Sequence, residues 1–205
     1  MRTALALGSL ITLAGTARAD TVTADPNDAG KVTAIGKGVK ELDLGGIFVL
    51  SYTKSGDADA VTRVSTLGGA GFQYFINDNI SAGANFLVSY DKVGDASSTA
   101  FGGTAFASAH VRLGLGAFLR PTLGVGALFG TQQLDLGGGM VAEASQTSLL
   151  VRLAMPFAYF PSRRVVLQAG PEIDISVGNV TPDGAESQSF TNIAGGFGVG
   201  IGYAF

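Results

Sequence analysis

From about residue 41 to the end of the chain, apolar and small or polar residues alternate with a period of two, the spacing of a β-strand with one apolar face. The last stretch shows it most clearly. Ile193, Phe197, Val199, Ile201, Tyr203 and Phe205 fall on odd positions, while Asn192, Ala194, Gly196, Gly198, Gly200, Gly202 and Ala204 fall on even ones. This predicts a strand over 189–205. The same alternation predicts strands over 41–52, 61–76, 80–91, 100–113, 117–132, 144–160 and 165–177. Turn signals separate them, such as Asn77-Asp78-Asn79, Gly114-Leu115-Gly116 and Pro161-Ser162-Arg163-Arg164.

The strands are about 12–17 residues long, past the usual globular mode of about 5–6 and enough for the 9–11 residues that cross a hydrocarbon layer. Their connections alternate in length. Short ones follow the second, fourth and sixth strands, and longer polar ones occupy 53–60, 92–99, 131–143 and 178–188. In a soluble barrel the apolar face would point inward and the outer face would carry many charges. Here the second face is Gly, Ala, Ser, Thr and Asn with few charges, which suits a narrow lumen, so the apolar face must meet lipid. Aromatic residues gather at the ends of that face: Tyr52, Tyr90, Phe101 and Phe129 on the loop side, and Phe72, Tyr74, Phe157, Tyr159, Tyr203 and Phe205 on the turn side. The expected fold is all-β: an eight-stranded antiparallel up-and-down transmembrane β-barrel with short periplasmic turns and longer outer loops. Closure of the ring would satisfy every backbone N–H away from water.

Upstream, Arg2, the apolar run from Ala4 to Ala14 and the small-x-small pattern Ala17-Arg18-Ala19 read as a signal peptide over 1–19, cut after Ala19. Residues 20–40 are polar and loosely patterned, and are expected to form an exposed periplasmic leader; the alternative is a segment that folds back as a plug, which nothing in its residues demands. The barrel domain is then 41–205.

Composition narrows the function classes. The chain has 205 residues, 31 of them Gly, no Cys, no Trp and only 14% charged residues. Without Cys there is no disulfide and no thiolate metal site. The net charge of −3 offers no basic footprint for nucleic acid. The Gly-rich stretches are followed by no helix and no Lys-Ser/Thr, so they do not read as phosphate loops. One His cannot furnish a zinc site. No cofactor is expected.

The chain resembles the small outer-membrane barrels of diderm bacteria, the OmpA-transmembrane-domain-like and OmpX-like group. The residues that carry the resemblance are Ala17-Arg18-Ala19, the run from Tyr74 to Ala84 around Asn77-Asp78-Asn79, and the terminal strand ending Tyr203-Ala204-Phe205. It covers about residues 41–205 and implies a bacterial outer-membrane location. It also implies that Tyr203 and Phe205 form the assembly signal read by the barrel-assembly machinery. No peptidoglycan-binding domain follows the barrel, so a tethering role is not implied.

The charges on the lumen face are the informative chemistry, because an Arg facing lipid near mid-membrane would cost about 2–4 kcal/mol. With the 161–164 turn centred on Ser162, Arg152 lies opposite Glu172, with Asp174 one step away, as an interior ion pair between the sixth and seventh strands. His110, Arg112 and Arg120 are expected to cluster at the turn end with Glu41 and Asp43. These pairs fill and register the lumen, or gate a narrow conduit. His110 is placed inside near the periplasmic end, away from the outer rim where a lipid hydrolase would need it. The Gly-lined wall of 196–202 is where a passage would run.

The expected role is structural or surface-interacting: a monomer among outer-membrane lipids presenting four loops to a ligand the sequence does not name. The alternative is a narrow porin-like channel for small solutes, and a lipid-acting enzyme comes third.

Overall fold

The computed structural model describes residues 22–24, 32–55, 61–93, 96–135 and 141–205. The expected signal peptide, the start of the leader and the tips of three of the longer loops lie outside the described residues. So does the side chain of Tyr52.

A short hairpin opens the described chain: β1 (Val22–Ala24) pairs with β2 (Val32–Ile35). The body is entirely antiparallel strand. It runs through β3 (Lys40–Ser55), β4 (Val61–Asn77), β5 (Ile80–Val93), β6 (Ala96–Ala109), β7 (Val111–Gly114), β8 (Ala117–Leu119), β9 (Thr122–Asp135), β10 (Val141–Ala154), β11 (Phe157–Tyr159), β12 (Val165–Pro182) and β13 (Gln188–Ala204). Neighbours in space follow the order β3, β4, β5, β6, β9, β10, β12, β13, and β13 pairs back onto β3, so the ring closes with eight walls.

Three walls are interrupted. Their lower parts, β7, β8 and β11, continue β6, β9 and β10 in the same register. The breaks fall at His110, at Arg120-Pro121 and at Met155-Pro156. A proline has no N–H to give the ladder, so each such site keeps only one bond of a pair. Ala109 N–H donates to Pro121 O, Arg120 N–H to Pro156 O and Met155 N–H to Pro171 O. Thr122 Oγ1 donates to Arg120 O at 3.0 Å, supplying the bond that Pro156 cannot. The tight turns are closed locally, with Asn77 Oδ1 accepting from Asn79 N–H at 2.8 Å.

The wall is inverted relative to a soluble protein. Leu149 is 72% exposed and Leu44 65%, and Phe86, Val125, Leu153, Ile173, Phe197 and Ile201 line the same outer surface. Ser81, Thr104, Ser108, Ser148, Arg152 and Ser176 are buried inside. Each large apolar side chain left in water forgoes about 1.5–3 kcal/mol of burial, so a surface made of them is a surface for hydrocarbon. The chain is a transmembrane barrel, with turns at one end and longer loops at the other.

The segment expected to be an exposed leader departs from that expectation where it is described. Val32, Ile35 and Val39 are completely buried, in one apolar cluster with Phe75, Phe118, Ala158, Phe160, Val166 and Ala204. The reason is the barrel's turn-end mouth, whose inward residues are apolar and need a cover.

Candidate functional site: the braced lumen

Two arginine clusters organise the lumen. The first lies at the turn end. Arg120 Nη1 donates to Glu41 Oε1 at 2.7 Å and Nη2 to Oε2 at 2.9 Å, a planar fork matched to a carboxylate. Arg120 is 2% exposed and Glu41 0%. The guanidinium lies 5.8 Å from the Phe75 ring and 5.5 Å from the Phe160 ring, within the range of cation–π attraction. Glu41 is the second residue of β3, and Arg120 sits between β8 and β9. In the ring those walls are four apart in either direction, so the pair spans the diameter.

Asp43, one inward step along β3, accepts from Gln168 Nε2 at 3.4 Å. Gln168 is on β12 and reaches over β13 because Gly200 offers no side chain there. A Cβ at Gly200 would lie 3.2 Å from Gln168. The same holds at Gly202, where a Cβ would meet Asp43 and Val166. The Gly-lined wall is therefore covered at Gly200 and Gly202 by its neighbours' side chains, and it borders free space at Gly198.

His110 is buried in the same layer. Its Nε2 lies 2.8 Å from Ser81 Oγ, which donates to Gln73 Oε1 at 2.9 Å, so Nε2 carries the proton given to Ser81. The imidazole packs 4.6 Å from the Phe75 ring, and Nδ1 has no hydrogen-bond partner. Among the described residues no carboxylate orients this His toward a hydroxyl nucleophile, the arrangement hydrolytic chemistry needs.

Arg112 is not part of the cluster, contrary to expectation. It is exposed, and its Nε donates only to Gly114 O, at 3.4 Å. Its position has the inward phase, but β7 has a single neighbour, β8. The β4–β5 hairpin ends at Asp78 and Asn79, where Asn79 O takes the His110 N–H. Beyond that level there is no wall to enclose Arg112.

The second cluster is further along the lumen. Arg152 Nε and Nη2 donate to Asp174 Oδ1 and Oδ2 at 2.9 and 2.7 Å. Glu172 Oε1 lies 2.6 Å from Arg152 Nε but accepts no hydrogen bond, so it contributes charge without bond geometry. Arg152 pairs in register with Asp174, and Glu172 with Ala154. The expected opposition of Arg152 and Glu172 is thus off by two residues. The turn centres on Arg163 rather than Ser162, and moving a turn centre by one residue moves the pairing by two without changing the face.

Between the clusters is a cavity of about 150 Å³, whose lining includes Asp43, Asn85, Arg120, Arg152, Gln168 and Glu172. Among the described residues no group of three or more His, Asp or Glu is placed to hold a metal ion. At the turn end Tyr203 and Phe205 stack with ring centres 6.2 Å apart. Arg164 Nη1 donates to Tyr203 OH at 3.0 Å, and the Phe205 backbone exchanges both bonds with Lys40.

Sequence reasoning missed the inward aromatic residues Phe75, Phe118 and Phe160. A signal existed: each occupies the lumen phase next to a turn, where the other strands carry small or polar residues.

No family model matches the chain, and no curated protein matches it. Solved structures do. Neisserial surface protein A superposes with a TM-score of 0.56 at 16% identity, over 82% of this chain and 100% of that one. Ail, the attachment invasion locus protein of Yersinia pestis, gives 0.50 at 18% identity, over 82% and 99%. The N-terminal β-barrel domain of Pseudomonas aeruginosa OprF gives 0.47 at 15%, over 83% and 99%. The chain has the fold of the small outer-membrane β-barrels.

Proposed function

We propose that this protein is a structural, surface-interacting barrel of the bacterial outer membrane and not an enzyme, acting through the loops it presents. One observation carries this reading: the Glu41–Arg120 fork crosses the full diameter of the lumen, with Phe75 and Phe160 against it. An eight-stranded ring has an interior that side chains just fill, and here charged and aromatic side chains span it. The work is then left to the outer surface and the loops. In this reading the barrel is a monomer surrounded by outer-membrane lipids. Its cleaved export signal is 1–19, and its terminal Tyr203 and Phe205 are recognised by the barrel-assembly machinery. Ail is named for attachment and invasion, and a loop-borne binding role suits this chain's architecture too.

Planar-bilayer recording of the purified barrel tests this reading. The expected trace is flat, and sustained single-channel steps would overturn it in favour of the narrow channel. The cavity between the two charge clusters favours the channel.

A further inference from the structure

We propose that residues 32–39 are a built-in stopper, a strap of the chain's own N-terminal segment that seals the turn-end mouth of the barrel. This goes beyond the proposed function and is independent of what the loops bind.

The mouth is an apolar collar. Phe75 on β4, Phe118 on β8, Ala158 on β11, Val166 on β12 and Ala204 on β13 all point inward, joined by Phe160 beyond β11, and none is more than 2% exposed. Elsewhere the inward face is mainly Ser, Thr, Gly and charge, with Leu87, Phe106 and Leu150 set singly among them and no comparable apolar layer. A ring of apolar side chains around an open hole would face water, and removal of that surface from water drives burial. What covers it is Val32, Ile35 and Val39, each 0% exposed.

The backbone shows that the cover is a strap with two anchored ends. At one end Gly116 N–H, in the β7–β8 turn, donates to Val32 O at 2.8 Å. At the other, Gly38 N–H donates to Phe75 O at 2.8 Å and Phe75 N–H to Val39 O at 2.9 Å. Lys40 and Phe205 then exchange bonds of 2.9 and 2.8 Å. The first anchor is on the hairpin that continues the β6 and β9 walls. The others are on β4 and the end of β13, walls on the far side of the ring. The strap therefore crosses the mouth, and the chain reverses at Gly38, with φ of 90°, to enter β3.

Directly inside lies the Glu41–Arg120 fork, which also crosses the ring and packs against two residues of the collar, Phe75 and Phe160. The turn end is thus closed twice, by an apolar layer outside and an ionic layer within. The strap keeps water off the ionic layer and denies solutes an exit at the turn end, so the lumen cavity can be reached only from the loop end.

The chain has no Cys, so single cysteines report access cleanly. Three variants of the full-length barrel in detergent, Ile35→Cys, Ser81→Cys and Ser187→Cys, are reacted with a hydrophilic maleimide. Only the heat-modifiable, folded band is scored. Ser81 is fully buried beside Phe75 just inside the mouth, and Ser187 is exposed in the β12–β13 loop. Ile35→Cys and Ser81→Cys are expected to react at least about 100-fold slower than Ser187→Cys, as sites reached only through local opening do. Ile35→Cys reacting as fast as Ser187→Cys would overturn the strap. Displacing the strap with Ile35→Asp should speed labelling of Ser81→Cys about 10-fold or more. Gly38→Val does the same through the turn alone, since a β-branched residue is an outlier at positive φ. Ser81→Cys remaining protected in both folded backgrounds would show that the barrel closes its own mouth, and would overturn the stopper.

Discussion

Arg120 and Arg152 both grip a carboxylate with two nitrogens from inside the same lumen, but they join different things. Arg152 reaches Asp174 on the adjoining strand, at a position already paired by the backbone ladder. Arg120 reaches Glu41 on the opposite wall, with no backbone bond between the two strands. Their surroundings differ as well. Both arginines border the cavity, but the Arg120–Glu41 side chains are 2% and 0% exposed and lie against phenylalanines, whereas Arg152 and Asp174 are 6% and 12% exposed. The first pair ties together walls that nothing else ties directly. The second reinforces a seam that would exist without it. The surrounding dielectric then sets how much each pair's loss must cost.

The largest effect is therefore expected at the turn end. Arg120→Met leaves the Glu41 carboxylate buried with no cation. Breaking a fully buried pair in this way costs about 3–5 kcal/mol. In urea unfolding of the folded barrel the midpoint should fall by the corresponding amount. The double variant Arg120→Met with Glu41→Leu should recover most of the loss, because replacing both charges by apolar side chains removes the orphaned charge. A single variant that loses less than about 1 kcal/mol, the scale of an exposed pair, would erase the contrast between the two clusters.

That contrast was only partly legible in the sequence. The eight strands were readable because period-two alternation over long stretches has a single structural meaning when one face is apolar and the other nearly bare. Placing Arg120, Glu41 and Asp43 at the same end required only strand order and turn positions. That the fork crosses the ring required closure, which no local pattern encodes. Arg112 was grouped with them because its phase points inward. Phase says nothing about where a neighbouring hairpin stops, and the β4–β5 hairpin stops first. The register of Arg152 was off by two because the Pro161–Arg164 stretch contains no residue that fixes its centre. The leader was read as exposed because it is polar and loosely patterned, and Gly36 and Gly38 interrupt the run that holds Val32, Ile35 and Val39. Their burial exists only once Phe75, Phe118 and Phe160 have been brought together by the closed ring.

A smaller loss is expected at the second cluster. Arg152→Met removes two charge-assisted bonds, each worth about 1.5–3 kcal/mol. The Asp174 and Glu172 carboxylates it leaves behind line or adjoin a cavity that water can reach from the loop end, so part of the loss is returned by hydration. The same urea titration should show a midpoint shift smaller than that of Arg120→Met, with the heat-modifiable band intact. A shift equal to or larger than that of Arg120→Met would mean that the neighbouring-strand pair, and not the cross-lumen pair, holds the barrel's shape.

The smallest effect belongs to Arg112, and it is the sharpest control. By sequence position it differs little from Arg120, as a lone arginine of inward phase near the same turn. By structure it is solvent-exposed on the free edge of β7, with one long bond to Gly114 O. Arg112→Ser should change stability by no more than about 0.5 kcal/mol, as surface substitutions away from buried networks do. It should also leave Ser81→Cys as protected as in the parent barrel. A loss comparable to that of Arg120→Met would require Arg112 to fold inward onto Glu41 or Asp43 in solution. The turn end would then be braced by two arginines, and the difference between the clusters would be one of number and not of geometry.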